Sequence, residues 1–154
     1  MTILAIDPGT TESGYAVFGY GRVLSSGVMG NDELIGMLRE PTAFRALGVD
    51  RIAVEMIASY GMAVGREVFE TCVWIGRFIE AWKGQHELVY RQRVKLHLCQ
   101  SPRAKDANIR QALIDRLGPQ GTKKQPGPTY GVKSHAWAAL AVAVTASDEM
   151  REAA

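Results

Sequence analysis

The sequence predicts an α/β fold built on a five-stranded mixed sheet: a three-strand antiparallel meander plus two parallel strands, with helices on both faces. Two observations predict it. Short apolar, β-branched runs bounded by Gly and Pro alternate with longer segments whose apolar residues recur every three or four positions. The early runs follow one another through short turns, whereas the later ones are separated by helical segments, as parallel pairing requires. The 154 residues suffice for one domain, which we expect to span residues 1–154.

The first strand is predicted at residues 2–6, an almost wholly apolar run that suits a strand buried on both faces. It ends on Asp7, and a turn at residues 8–11 follows. An acid in this position is costly to desolvate unless a positive charge meets it. Asp7 therefore either ligates a divalent cation such as magnesium or caps the turn through the amides of Thr10 or Thr11.

Two further strands, at residues 14–18 and 22–29, complete the meander through a Gly-rich turn. Asn31 is a predicted N-cap for a helix that Pro41 ends. The next strand is predicted at residues 49–57. Because it follows a helix, this strand can lie parallel to the first one through a right-handed crossover.

The fourth strand also has a carboxylate, Glu55, near its C-terminal end. Parallel pairing would place Asp7 and Glu55 at the same edge of the sheet, where ligand sites of open α/β sheets occur. Two neighbouring acids repel each other unless a shared cation holds them. The alternative for Glu55 is an ion pair with a surface arginine such as Arg51.

The second half of the chain is predicted to be mostly helical. A long helix at residues 64–83 has apolar side chains on two faces, so that one face meets the sheet and the other meets another helix or a second subunit. The final helix is apolar nearly all round and should pack directly on the sheet, with His135 in its first turn. The predicted elements are helices at 64–83, 93–99, 103–117 and 133–149, an edge strand at 87–90, and a mobile basic loop at 118–131.

The charges are unevenly distributed. Residues 83–133 hold eleven Lys or Arg against three acids, a net charge of +8, whereas the whole chain carries +2. A basic segment beside an acidic site is typical of an enzyme that holds nucleic-acid phosphates and cuts them. The alternative is a solvated helical face with scattered basic residues.

Other features exclude a membrane protein. No apolar run is long enough to span a bilayer, and the N-terminus lacks the pattern of a signal peptide. Cys72 and Cys99 lie in apolar helical settings without metal-ligand spacing, which is typical of small buried side chains in a reducing compartment. We therefore expect a cytoplasmic protein with no membrane partner.

Two strand-end carboxylates, a helix-borne histidine and a basic second half together suit two-metal phosphodiester hydrolysis. Asp7 would bridge the two ions, and Glu55 and His135 would each complete one of them. A neutral imidazole can also orient a water near neutral pH. The alternative for His135 is a solvent-exposed residue at the helix start.

These residues carry a resemblance to a known family. Residues 6–16 (IDPGTTESGYA) are similar to the opening of RuvC-type Holliday junction resolvases of the RNase H-like superfamily. Further matches follow in the family's order and span nearly the whole chain, and the segments at 29–49 and 60–77 look most like compact bacteriophage resolvases. These matches are Val54-Glu55-Met56 for the second acidic strand, Val94-Lys95 and Ala104-Lys105 for the basic DNA-contact region, and residues 139–143 for the last helix.

The resemblance implies a homodimer that binds four-way DNA junctions and nicks two strands symmetrically, with two Mg²⁺ or Mn²⁺ ions per active site. It carries over Asp7, Glu55 and His135 as catalytic metal ligands. It also makes the long helix the dimer interface, and the residues expected there are Val68, Phe69, Cys72, Ile75 and Phe78. The expected DNA-binding residues are Tyr60, Met62, Lys95, Arg103, Lys105, Lys123, Lys124 and Lys133.

The chain departs from the family's pattern at two positions. Where the family has a further acid, four residues before Val142, this chain has Ala138, so one metal ligand is missing. Where the family places an aromatic three residues after its strand acid, this chain has Ala58. Tyr60 or Met62 would then insert at the junction, as apolar side chains do when they unstack bases.

Three other functions compete with a strict junction resolvase. Sugar-kinase, actin or chaperone ATPases begin similarly, but they need two such domains and this chain has room for one. A junction-binding protein with weak or lost cleavage is favoured by Ala138. A broader nuclease that debranches many DNA structures has the same sequence features as a strict resolvase.

Overall fold

The computed structural model describes all 154 residues and contains five strands and six helices. The strands are β1 (Thr2–Asp7), β2 (Glu12–Gly19), β3 (Arg22–Gly30), β4 (Arg51–Met56) and β5 (Gln85–Tyr90). The helices are α1 (Asn31–Arg39), α2 (Thr42–Ala46), α3 (Arg66–Trp82), α4 (Arg91–Cys99), α5 (Asp106–Leu117) and α6 (Ala136–Ala153). The predicted fold class is confirmed, and none of the helices combines the length and apolarity needed to cross a bilayer.

The strands form one sheet in the order β3-β2-β1-β4-β5. The first three strands pair antiparallel, whereas β4 runs parallel to both β1 and β5. In the register of β1 and β4, Ile6 pairs with Val54, so Asp7 and Glu55 follow at equivalent positions of two parallel strands. The prediction that both acids lie at the same edge of the sheet is therefore confirmed.

Helices cover both faces of the sheet, and β1 shows how its side chains divide between them. Ile3 and Ala5 belong to the core beneath α6, whereas Leu4 and Ile6 belong to the core shared with α1 and α3. Residues 139–144 of α6 are at most 1% exposed, as the prediction that this helix packs directly on the sheet requires. The alanines of this run leave room for the helix to approach the strands closely.

The orientation of α3 corrects part of the predicted dimer interface. Ile75 is 3% exposed and Phe78 is fully buried, because the face that carries them packs into the chain's own core. Phe69 and Val73 lie on the outer face and are 64% and 63% exposed. Val68 and Cys72 are half-buried between the two faces.

The basic loop folds into a compact hairpin with a bridge between Gly121 and Pro126. The buried Thr129 hydroxyl anchors the hairpin by donating to the carbonyl of Gly118 at 2.9 Å. Lys123 and Lys124 lie at its exposed tip. This hydrogen-bonded arrangement is more ordered than the mobile loop predicted from its Gly and Pro content.

Candidate active site

A cleft of about 540 Å³ opens at the sheet edge where β1 and β4 end. Asp7 from β1, Glu55 from β4 and His135 from the N-cap of α6 all line it. The structure thus brings together the three residues predicted to be catalytic. Asp7 and Glu55 are 48 residues apart in the sequence, and Glu55 and His135 are 80 residues apart. Ala138, one turn into α6, faces the same cleft.

Asp7 contacts His135 and takes no part in capping the turn. Its side chain is 16% exposed, and its Oδ2 lies 3.1 Å from Nδ1 of His135. The turn is held instead by Ser13, whose Oγ accepts a hydrogen bond from the Gly9 amide at 3.2 Å. Neither Thr10 nor Thr11 donates to Asp7, so its carboxylate faces the cleft.

A buried hydrogen-bonded trio fixes the turn behind Asp7. Asn31 accepts a bond from the Ser13 hydroxyl at 2.6 Å, and its amide donates to the Gly9 carbonyl at 2.9 Å. Ser13 and Asn31 are each 1% exposed. Asn31 was predicted to be a helix N-cap; that prediction is wrong, because Gly30 occupies the cap and Asn31 is committed to this trio.

Gly14 allows the start of α6 to reach Asp7. It pairs with Asp7 across β1 and β2. A Cβ on Gly14 would lie 2.4 Å from both the carbonyl carbon and the carbonyl oxygen of His135. Because the obstacle is backbone, a side chain here would have to displace the segment that carries His135.

We expect Gly14→Ala to destabilise the protein by about 1–3 kcal/mol, because the added methyl group overpacks a backbone contact. The same displacement should lower any activity that needs His135 beside Asp7. Urea unfolding measures the first effect. Gly36→Ala is the matched control: it lies within α1 with nothing near its Cβ, so it should be neutral or stabilising. Equal stability of Gly14→Ala and the wild type would contradict the close approach.

Glu55 is 8% exposed and pairs with Arg91, not with Arg51 as the alternative interpretation proposed. Its Oε1 lies 3.4 Å from Nη1 of Arg91. Burial and then the charge of Asp7 raise the pKa of Glu55 to about 7, against the lowering effect of Arg91. Burial also raises the pKa of Asp7, against the lowering effects of His135 and Arg91. For both carboxyl groups, the effect of burial on the pKa thus outweighs that of the nearby positive charges.

The donors suit a divalent cation, since carboxylate oxygens and imidazole are ligands for Mg²⁺ and Mn²⁺. The negative charge of Asp7 and Glu55, which His135 and Arg91 offset only in part, also favours a divalent cation. No three or more His, Cys, Asp or Glu side chains are grouped closely enough to hold one ion together. Asp7 lies 3.1 Å from Nδ1 of His135 and shares the cleft with Glu55, and Ala138 adds no ligand.

Without divalent cations, we expect the free energy of unfolding to fall by about 2–3 kcal/mol as pH rises from 4.5 to 7. The pKa of Glu55 is raised above the ordinary glutamate value of 4.5. The folded state therefore keeps this proton longer than the unfolded state, and its stabilising effect is lost as pH rises through about 7. Glu55→Gln should flatten this profile, as denaturant unfolding at successive pH values would measure.

Magnesium should restore stability at pH 8 in the wild type and not in Glu55→Gln. Glu33→Gln, an exposed acid in the first turn of α1, is the matched control and should keep the wild-type profile. Identical profiles in wild type and Glu55→Gln would contradict the raised pKa.

Three charged residues of the cleft, Arg91, Asp106 and Arg110, were not identified as site residues from the sequence. Arg91 is the first residue of α4, and Asp106 is the first residue of α5. They form an ion pair between Nη2 and Oδ1. Arg91 follows β5, which ends at the same sheet edge as β4, so strand order could have indicated it. No sequence signal places Asp106 beside it.

The predicted DNA-binding residues occupy two regions. Tyr60 and Lys95 line a second cleft beside the first, and the two clefts share Glu55 and Arg91. Tyr60 and Met62 are 64% and 74% exposed, at a tight turn where Tyr60 has a φ of 49°. The remaining predicted contacts are exposed and line neither cleft: Arg103, Lys105, Lys123, Lys124 and Lys133.

No protein-family model matches the sequence, and no curated protein matches it significantly. Among solved structures, the chain is similar to RuvC of Thermus thermophilus, with a TM-score of 0.72 and 22% identity over 99% of this chain and 97% of that chain. It is also similar to T. thermophilus RuvC in complex with a Holliday junction substrate, with a TM-score of 0.70 and 19% identity over 99% and 96% of the two chains. The chain therefore has a RuvC-like form of the RNase H-like α/β fold over nearly its whole length.

Proposed function

We propose that this protein is a DNA endonuclease that nicks four-way junctions symmetrically as a homodimer, in the cytoplasm of a bacterial or phage-infected cell. The observation that carries the proposal is the convergence of Asp7, Glu55 and His135 in one cleft. The cleft lies at the ligand-binding edge of a sheet whose fold is also that of a RuvC structure containing a Holliday junction.

Asp7, Glu55 and His135 are the residues that would hold Mg²⁺ or Mn²⁺, two ions in the proposed form. Bound ions would generate a nucleophilic water and stabilise the leaving oxygen. With Nδ1 of His135 directed at Asp7, Nε2 is the ring nitrogen that would either bind a cation or accept a proton from water. The hydrogen-bonded trio behind Asp7 and the close contact between Gly14 and the backbone of His135 would hold Asp7 and His135 in their relative positions.

The surroundings of the cleft suit a branched DNA. Lys95 lies beside the active site, where it can bind a backbone phosphate. Tyr60 and Met62 project from a tight turn at the same side and can stack on or separate bases at the branch point. The basic residues at 103–105 and 123–124 would extend phosphate contacts along the arms.

The second subunit would cover the outer face of α3. Phe69 and Val73 are one helical turn apart, and each is more than 60% exposed. A pair of large apolar side chains in this arrangement is typical of a helix that packs on another helix. Two copies related by a twofold axis would present two active sites to one junction.

We expect Val73→Glu to convert a wild-type dimer into a monomer, because it buries a charge at the centre of the helix pair. Sedimentation velocity measures this change. Val28→Glu, at an exposed valine of the edge strand β3, is the matched control and should remain dimeric. A wild type that sediments as a monomer at micromolar concentration would contradict the proposed assembly.

The test of the function is incubation with labelled four-way, three-way, flap and duplex DNA, with and without Mg²⁺. Symmetric nicks confined to the four-way junction would support the proposal. Cutting of several branched forms would favour the debranching nuclease. Junction binding without cutting in either Mg²⁺ or Mn²⁺ would favour a binding protein, the function that Ala138 in the cleft supports.

A further inference from the structure

We propose that Arg91 binds a junction phosphate inside the active cleft, with Asp106 as its positioning residue. The inference rests on the proposed function, because it names the side chain that meets the substrate. It concerns two residues that neither the sequence patterns nor the resemblance assigned.

Arg91 is placed to reach both the acids and the DNA. It begins α4 directly after β5, at the sheet edge where β4 also ends. Its Nη1 lies 3.4 Å from Oε1 of Glu55, so the guanidinium lies inside the cleft. Its side chain is nevertheless 39% exposed. A guanidinium has five N–H donors, and the two acids that Arg91 contacts leave donors free for a phosphate.

Asp106 fixes the outer side of this guanidinium. Its carboxylate pairs with Nη2 of Arg91, while Glu55 pairs with Nη1. Its side chain is 84% exposed, so the pair lies at the mouth of the cleft. As the first residue of α5, Asp106 is also at the end of the helix dipole that favours an acid. The long contact to Glu55 is the weaker of the two, so Asp106 would retain Arg91 when a cation occupies Glu55.

The charge balance of the cleft favours such a residue. Asp7, Glu55 and Asp106 are three acids that would repel a DNA phosphate. The other arginine of the cleft is Arg110, whose guanidinium stacks 5.2 Å from the centre of the Trp137 ring. Arg91 is therefore the permanently charged group that faces the acids. A preorganised cation at this place stabilises negative charge that grows on a phosphate during its transfer.

The test is a double-mutant cycle in which substitutions in the protein are combined with neutralised phosphates in the DNA, and binding affinity is measured for each combination. A neutral methylphosphonate is placed in turn at each phosphate flanking the exchange point of a four-way junction. Affinities for wild type and Arg91→Ala are measured in Ca²⁺. At one position, neutralisation should weaken wild-type binding about tenfold or more and leave Arg91→Ala unaffected. Arg103→Ala, an exposed arginine outside the cleft, is the control: its effect should add to that of the methylphosphonate at this position.

The positioning role of Asp106 has its own readout. Asp106→Asn should reduce the coupling between Arg91 and that phosphate, and Asp106→Glu should restore most of it. A merely structural role would instead change binding at every methylphosphonate position equally. Circular dichroism of each variant should show the helical content of the wild type.

The outcomes separate this inference from the proposed function. Additive effects of Arg91→Ala and the methylphosphonate at every position would overturn the inference. Coupling at one position in a wild type that cuts no DNA would uphold the phosphate contact and overturn the nuclease. Coupling at the bond that the wild type cuts would support both, and there Arg91→Ala should slow cleavage about 10²-fold or more.

Discussion

Asp7→Asn should reduce junction cleavage about 10³-fold or more while leaving junction binding intact. Asp7 lies 3.1 Å from Nδ1 of His135, and its charge raises the pKa of Glu55, so losing this charge removes the group that interacts with both. The substitution preserves shape and removes a negative charge from a cleft that a phosphate must enter. Binding should therefore stay equal or become tighter. Single-turnover cleavage and gel-shift titration on the same four-way junction measure the two effects.

The Asp7→Asn variant should also be at least as stable as the wild type. Asp7 raises the pKa of Glu55, which shows that their repulsion disfavours two ionised carboxylates in the folded state. Increased stability together with lost cleavage would exclude misfolding as the cause. Asp50→Asn, the same change at the residue before β4, is the matched control and should cut normally. Cleavage within tenfold of the wild type would remove Asp7 from the proposed metal ligands.

The sheet and the convergence of Asp7 with Glu55 were predictable because two local signals combine with one general rule. Apolar runs identified the strands, and an intervening helix between residues 31 and 39 indicated a parallel crossover. Since carboxyl ends of parallel strands meet at one edge, acids at those ends had to become neighbours. His135 was less firmly indicated than the two acids, because an exposed histidine at a helix start carries no periodicity that marks it as a ligand.

The errors arose where long-range packing decides the outcome. Periodicity showed that α3 has apolar residues around much of its surface, but not which face meets the sheet, so Ile75 and Phe78 were assigned to the wrong side. Asn31 fits a helix cap locally, yet a buried serine and carbonyl from the preceding turn hold it. The Arg91–Asp106 pair joins the starts of two helices, and only their packing brings it together.

The second large effect is expected at Asp148, which ties together the three helices that border the cleft. It lies in α6 and is 5% exposed. Nη2 of Arg116 in α5 donates to it at 2.6 Å, and Nε2 of His97 in α4 lies 2.7 Å away. Arg151, in the next turn of α6, donates to Oδ1 at 2.6 Å. Burial alone would raise the pKa of Asp148, but the hydrogen bonds from Arg116, His97 and Arg151 hold it well below its usual range.

Asp148→Asn should therefore lower the free energy of unfolding at pH 7 by about 2–3 kcal/mol, less than for a fully buried pair because the arginines are partly exposed. A depressed carboxyl pKa contributes stability that is present above the unfolded value of 3.8 and is lost as pH falls through the folded value. The difference in free energy of unfolding between the wild type and Asp148→Asn should thus become smaller below about pH 4. Urea unfolding of both proteins at pH 7 and pH 3 would measure it. Asp115→Asn, at an exposed acid of α5 whose side chain accepts a hydrogen bond from Gln111 and forms no ion pair, is the control. An equal loss of stability at both pH values would show that Asp148 acts through packing and not through its charge.

The starts of α4, α5 and α6 lie at or next to Arg91, Asp106 and His135. Because Asp148 holds these helices together away from the cleft, its substitution should also weaken the active site without altering any residue in it.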